Sequence, residues 1–167
     1  MALTYDKLAT TTLGSSQASV NFSSISGSYT DLVLVSSILG TTSTSYSPRI
    51  QVNSDTGSNY SSTYLYGTGS TAGSGGTTGA SFIYIGQLTG YFTTGEPGTF
   101  ITQFQNYSNT TTYKTILSRG NNTATDTSAI VGLWQSTSAI NAINIQFQSG
   151  TNLQAGSTFT LYGILKA

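Results

Sequence analysis

Apolar and polar residues alternate along most of this chain with a period of two, not the 3.6 of an amphipathic helix. Ala18–Phe22 alternates cleanly. Asp31–Leu39 sets Leu32, Leu34 and Ile38 on one face and Val33 and Val35 on the other, which predicts a strand buried on both sides. Arg49–Asn53 is a short alternating run. Tyr60–Tyr66 places Tyr60, Tyr64 and Tyr66 on one face, and Ser81–Leu88 sets Phe82, Tyr84 and Leu88 against Ile83 and Ile85. Phe100 and Phe104 oppose Ile101 and Tyr107. Tyr113–Ser118, Ala129–Gln135, Ile143–Phe147 and Phe159–Leu165 follow. The pattern predicts about nine or ten short strands separated by Gly, Asn, Ser and Thr clusters, as in a sandwich or jelly roll. Thr137–Asn144 holds Ala and Ile but drifts back into alternation, so no helix is expected.

Two stretches break the alternation. Residues 67–80 (GTGSTAGSGGTTGA) are low in complexity and read as a long, mobile Gly/Ser-rich loop. Residues 10–17 read as a polar link, which leaves 1–16 as an N-terminal arm. No period of 20 to 50 residues argues for a solenoid. The expectation is one all-β domain over residues 1–167.

Composition sharpens the function classes. Of 167 residues only five are basic and five acidic, and there is no His and no Cys. About a third are Ser or Thr. Without His the usual proton shuttle near neutral pH is absent, and without Cys so are thiolate chemistry and disulfides. A formal net charge of zero gives no long-range pull toward nucleic acid or an anionic membrane. Hydrophobic residues at 37% are too many for a disordered segment. The first residues lack a basic n-region and an apolar h-region, so no signal peptide is read, and Leu32–Val35 is too short to span a bilayer. The absence of disulfides suits cytosolic production.

Candidate chemistry is thin. Asp6, Asp31, Asp55, Glu96 and Asp126 are scattered singly, whereas a glycosidase needs two carboxylates flanking one bond. A Ser-His-Asp triad is impossible. Gly67-Thr-Gly69-Ser-Thr-Ala72 lacks the helix that a dinucleotide fingerprint requires. Asp55-Thr-Gly57-Ser-Asn59 offers oxygen ligands, but one carboxylate alone favours a turn over a calcium site. The sequons at Asn21, Asn59, Asn106, Asn109 and Asn121 arise readily in so Ser/Thr-rich a chain. Neither a metal nor a cofactor is expected, nor catalysis. Tyr60, Tyr64, Tyr66, Tyr91 and Trp134 are the candidates for a protein interface or for stacking on sugars, with the sandwich core as the plain alternative for about half of them. A Thr ladder for ice binding lacks its fixed repeat.

Phe22-Ser-Ser-Ile25 with Tyr29-Thr-Asp31-Leu-Val-Leu34 resembles an opening strand pair of small tailed-phage virion proteins. Arg49-Ile-Gln-Val-Asn53 through Tyr60-Ser61, then Leu65-Tyr-Gly67, resembles a middle motif. Gly132-Leu-Trp134 with Ala139-Ile140-Asn141 and Ile143, and finally Gly156-Ser157 to Ile164, resemble later ones. As a set they span residues 20 to 165 and are similar to head decoration (cement) proteins and tail-associated modules, several of cyanophages. The resemblance implies a jelly-roll-like antiparallel β-sandwich, clustered as a homotrimer on the outer capsid surface and bound to the major capsid protein. It transfers no catalytic residue. Exposed strand edges, or Met1–Thr10, would then add a strand to a neighbour. The alternative is a tail-associated or fibre-tip module whose Trp134 and tyrosines stack on a host glycan.

Overall fold

The computed structural model describes residues 4–40, 47–86, 95–122, 126–148 and 150–165. They form twelve strands and, among the described residues, no helix. The strands are β1 (Tyr5–Thr12), β2 (Ser19–Phe22), β3 (Asp31–Ile38), β4 (Pro48–Val52), β5 (Tyr60–Gly67) and β6 (Ala72–Ala80). They continue with β7 (Ile83–Tyr84), β8 (Gly98–Phe104), β9 (Lys114–Asn121), β10 (Thr127–Trp134), β11 (Ile143–Phe147) and β12 (Thr158–Ile164).

Eight of these strands pair as a nested series, all antiparallel: β1 with β12, β2 with β11, β3 with β8 and β4 with β7. Such a series is one long ribbon folded over on itself. Contacts of β12 with β3 and of β11 with β4 divide the ribbon into two sheets. This is the jelly roll, the double-sheet solution to burying two alternating faces. The other four strands extend the free edge of β8 in the order β9, β10, β5, β6. One sheet therefore has eight strands and its partner four (β2-β11-β4-β7).

Alternation explains which side chains fill the interior. Leu32, Leu34, Ile38, Phe100, Phe104, Phe159 and Leu161 of the large sheet meet Val20, Phe22, Ile50, Val52, Ile143, Ile145 and Phe147 of the small one. Each is buried, worth about 1.5–3 kcal/mol of transfer free energy per side chain. On the other face of β3, Val33 is buried and Val35 half-buried, so that strand approaches the two-sided burial its sequence predicts. The 81–88 strand shrinks to Ile83–Tyr84, with Ile83 and Ile85 in the core; Leu88 lies outside the described residues.

Two expectations are corrected. Residues 67–80 are not a mobile loop. A tight turn, closed by Thr68 N–H donating to Thr71 O at 2.9 Å, leads into the nine-residue strand β6. Glycine normally weakens a strand because it has no side chain to pack, but here the neighbour supplies the cover. Tyr64 stands opposite Gly75 and Tyr66 opposite Gly73. A Cβ on Gly75 would lie 2.5 Å from the Tyr64 hydroxyl, and one on Gly73 would lie 2.7 Å from that of Tyr66. The tyrosine rings occupy the space that side chains on β6 would need.

Likewise residues 1–16 are not a free arm from Tyr5 onward. Tyr5–Thr12 pairs along β12 and forms the other edge of the large sheet, so from Tyr5 onward this segment belongs to the chain's own sheet.

Candidate functional site

The sequence-predicted aromatics separate into two groups. Tyr60 is 0% and Trp134 3% exposed, and both belong to the core. They stack with ring centroids 6.5 Å apart. Even-numbered residues of β5 and β10 face the small sheet, and Tyr60 and Trp134 stand opposite each other in that register. Neither ring is available to a sugar or a partner, which corrects their assignment as contact residues. Tyr91 lies outside the described residues.

What Tyr60 and Trp134 do is hold the Asp55 turn. Trp134 Nε1–H donates to Asp55 Oδ2 at 2.7 Å. Asn59 Nδ2 donates to the same carboxylate at 3.0 Å, and Gly57 N–H donates to Oδ1 at 2.8 Å. The Tyr60 hydroxyl donates to the Asp55 carbonyl at 3.0 Å. Donation from Trp134, then from Asn59 and Gly57, holds the Asp55 carboxyl below the ordinary aspartate range against the opposing effect of burial. Burial pushes the Tyr60 phenol up to about 12. Asp55, Gly57 and Asn59 thus form a turn whose carboxylate oxygens already receive donors from the fold itself. Among the described residues no group of three or more His, Cys, Asp or Glu side chains gathers to hold a metal ion.

Tyr64 and Tyr66 make the second group. Both are half-buried, 6.3 Å apart and tilted by 43°, over the Gly73–Gly75 stretch of β6. The small sheet is narrower than the large one and ends nearby in β7. There Phe82 and Tyr84 meet edge to face at 4.9 Å, and the Arg49 guanidinium lies 4.5 Å above the Phe82 ring.

Sequence reasoning missed the outer face of the eight-stranded sheet, which is accessible over β5, β9 and β10. Pairing registers align two neighbouring rows across it. One runs Tyr162, Val33, Gln103, Leu117, Val131, Thr63; the next runs Thr160, Val35, Ile101, Arg119, Ala129, Leu65. Leu65 is 62% and Val131 55% exposed, and with Ile101, Leu117 and Ala129 they line a shallow depression of about 430 Å³. A second depression of about 420 Å³ adjoins it through Thr63 and Val131 and takes in Ser61 and Thr115. Arg119 is the one charged side chain in the two rows. Isolated exposed apolar residues are ordinary, and here several adjoin one another across neighbouring strands.

Lys114, also missed, begins β9 with its side chain inward and 1% exposed. Its Nζ donates to the carbonyls of Thr112 at 2.7 Å and Thr137 at 3.2 Å, tying two loops together, and burial lowers its pKa. Its phase with Ile116 and Ser118 in the alternation was the available signal.

No protein-family model matches this chain, and no curated protein matches its sequence.

Proposed function

We propose that this chain is a non-enzymatic structural protein of a tailed-phage virion that seats the outer face of its eight-stranded sheet on the capsid surface. The observation that carries the reading is the pair of largely apolar rows on that face, drawn from six strands and carrying, besides Gln103, Thr63 and Thr160, a single charge at Arg119. A rigid sheet face with hydroxyls beside apolar side chains suits a repeating protein lattice. Its burial costs little electrostatic desolvation, and many identical contacts across a particle add up to a strong hold. The jelly-roll topology and the motifs spanning residues 20 to 165 favour the same assignment, with the major capsid protein as partner and symmetric trimers as the clustered form. The glycan-binding alternative loses Trp134 and Tyr60 to the core and, among the described candidates, keeps Tyr64 and Tyr66.

The test mixes purified protein with undecorated heads of the phage that encodes it, and with host cells. Saturable loading at a fixed ratio to capsid protein is expected, lost in Leu65→Lys and Val131→Lys. Adsorption to cells, competed by host polysaccharide, together with no loading on heads would overturn the reading.

A further inference from the structure

The two outer faces of the sandwich differ in chemistry. On the small sheet Ile50, Val52, Ile143 and Ile145 turn inward, so Arg49, Gln51, Asn144 and Gln146 turn outward. Pairing registers set them in two rows. One runs Gln146, Arg49, Tyr84; the next runs Asn21, Asn144, Gln51. Bonds within the face orient the amides. Gln146 Nε2 donates to Gln51 Oε1 at 3.0 Å, Gln51 Nε2 to the Ser81 carbonyl at 2.9 Å, and Asn144 Nδ2 to Asn21 Oδ1 at 2.7 Å. A primary amide carries two N–H donors and an acceptor oxygen, so Gln146 and Asn144 each keep an N–H and a carbonyl oxygen for an outside group.

Arg49 stands apart on this polar face. It is half-buried, its guanidinium lies 4.5 Å above the Phe82 ring, and its Nε is enclosed without a hydrogen-bond partner. Among the described residues no carboxylate pairs with it. Burial lowers its pKa, and only the Tyr84 phenol acts in the other direction. A guanidinium fixed on a ring, partly desolvated and without a counter-ion, suits an incoming anion. With Nε enclosed, that anion can reach only the two Nη groups. The other described cations lie elsewhere, Lys7 on β1, Lys114 in the interior and Arg119 on the opposite face. A phosphate group carries up to two charges and draws clusters of cations, whereas one guanidinium matches the single charge of a carboxylate.

We propose that Arg49, the amides of Gln146 and Asn144 and the Tyr84 ring bind a sugar acid, a uronate unit of an acidic polysaccharide. Its carboxylate rests on the Arg49 Nη groups and its hydroxyls on the two amides. Hydroxyls both donate and accept, as do the free halves of these amides, and the adjacent tyrosine offers an apolar ring to the C–H face of a pyranose. A carboxylate on a peptide side chain brings no hydroxyls to use them. Because the Phe82 ring and the bonds within the face already hold these groups, binding has little side-chain ordering to offset. The site lies on the face opposite the apolar rows and does not depend on what those rows bind.

A galacturonate trisaccharide, titrated against isotopically labelled protein, tests this by NMR. It should shift the side-chain amide signals of Gln146 and Asn144, with a Kd between about 0.1 and about 5 mM. The neutral galactose trisaccharide should bind roughly tenfold more weakly or worse, and Arg49→Gln should cost the acidic one as much. Arg119→Gln, on the other face, should change nothing. Should Arg49→Gln fail to fold, Arg49→Lys keeps the charge but loses the two-pronged geometry, for a loss of roughly threefold or more. The contrast between the acidic and neutral sugars needs no variant at all. Equal binding of the two overturns the proposal, as does an affinity unchanged in Arg49→Gln. So does the absence of shifts at about 20 mM trisaccharide, well above the largest expected Kd. Glutarate, a carboxylate without hydroxyls, matching the trisaccharide would reduce the site to an anion site only. An Asp/Glu-rich peptide binding more tightly than the trisaccharide would overturn the sugar in favour of a protein partner.

Discussion

Removing the Asp55 carboxylate should destabilise the domain through a tryptophan 79 positions away in the sequence. In Asp55→Ala, the Trp134 indole N–H stays buried without its acceptor, a cost of about 1–3 kcal/mol. The turn also loses the bonds from Gly57 and Asn59, worth about 1 kcal/mol together at a partly exposed site. The expected total is about 3 kcal/mol, or a fall in Tm of about 6–12 °C for a domain of this size. Urea unfolding followed by circular dichroism gives the free energies. Trp134 is the chain's single tryptophan, so its fluorescence reports the same transition at the site itself. Because Trp134→Phe removes the donor, a double-mutant cycle with Asp55→Ala isolates the pair, with an expected coupling of about 1.5–3 kcal/mol. The carboxylate's lowered pKa also sets a pH signature. Its contribution is present above the ordinary aspartate value of 3.8 and is lost as the pH falls through the lower folded-state value. Wild type and Asp55→Asn should therefore converge in stability as the solution is acidified below 3.8. A coupling under about 0.5 kcal/mol, or a gap that does not narrow in acid, would refute this account.

Three further outcomes follow from the geometry. Gly75→Val should drive a side chain into the Tyr64 ring and cost about 1–3 kcal/mol in urea unfolding, with part of the loss recovered in Gly75→Val/Tyr64→Ala. The Tyr60 phenol ionises near 12 in the fold and at 10.0 in the unfolded chain, so its stabilisation is intact below 10.0 and lost as the pH rises through about 12. Tyr60→Phe should be less stable at neutral pH and should unfold less steeply over that alkaline interval, as followed by circular dichroism. With no histidine in the chain, saturable binding to heads should be unchanged between about pH 5 and 8, and a titration in that interval would place a shifted group in the contact.

The strands most legible in the sequence are those with one face in the core. β2, β4, β11 and β12 each show alternating side chains that the sandwich buries at the same positions. β6 was illegible because glycine has no side chain to alternate; its order comes from Tyr64 and Tyr66 on the neighbouring strand. β1 was missed for a related reason, since an edge strand with Thr10–Thr12 buries no residue fully and leaves only a weak pattern. The Asp55 turn could be read locally from Asp, Gly and Asn. Its bond to Trp134 could not, because nothing local shows that β5 and β10 are neighbours. The same ignorance of strand order hid the outer face, where Leu65, Val131, Leu117 and Ile101 come from four strands that adjoin only in the folded sheet.

The nested pairing has a kinetic consequence. Bringing Tyr5 to Ile164 directly would close a loop of nearly the whole chain, at an entropic cost of about 4–5 kcal/mol. Once β2 lies on β11, the same contact needs only the short connections that lead from β2 back to β1 and from β11 on to β12. The ribbon should therefore zip from its inner pairs outward, β1 docking onto β12 late and leaving early. Native-state hydrogen exchange should find the amides of Tyr5–Thr12 opening at lower free energy than those of β3 and β8. The first place where the folded molecule gives way would then be the edge farthest from β6.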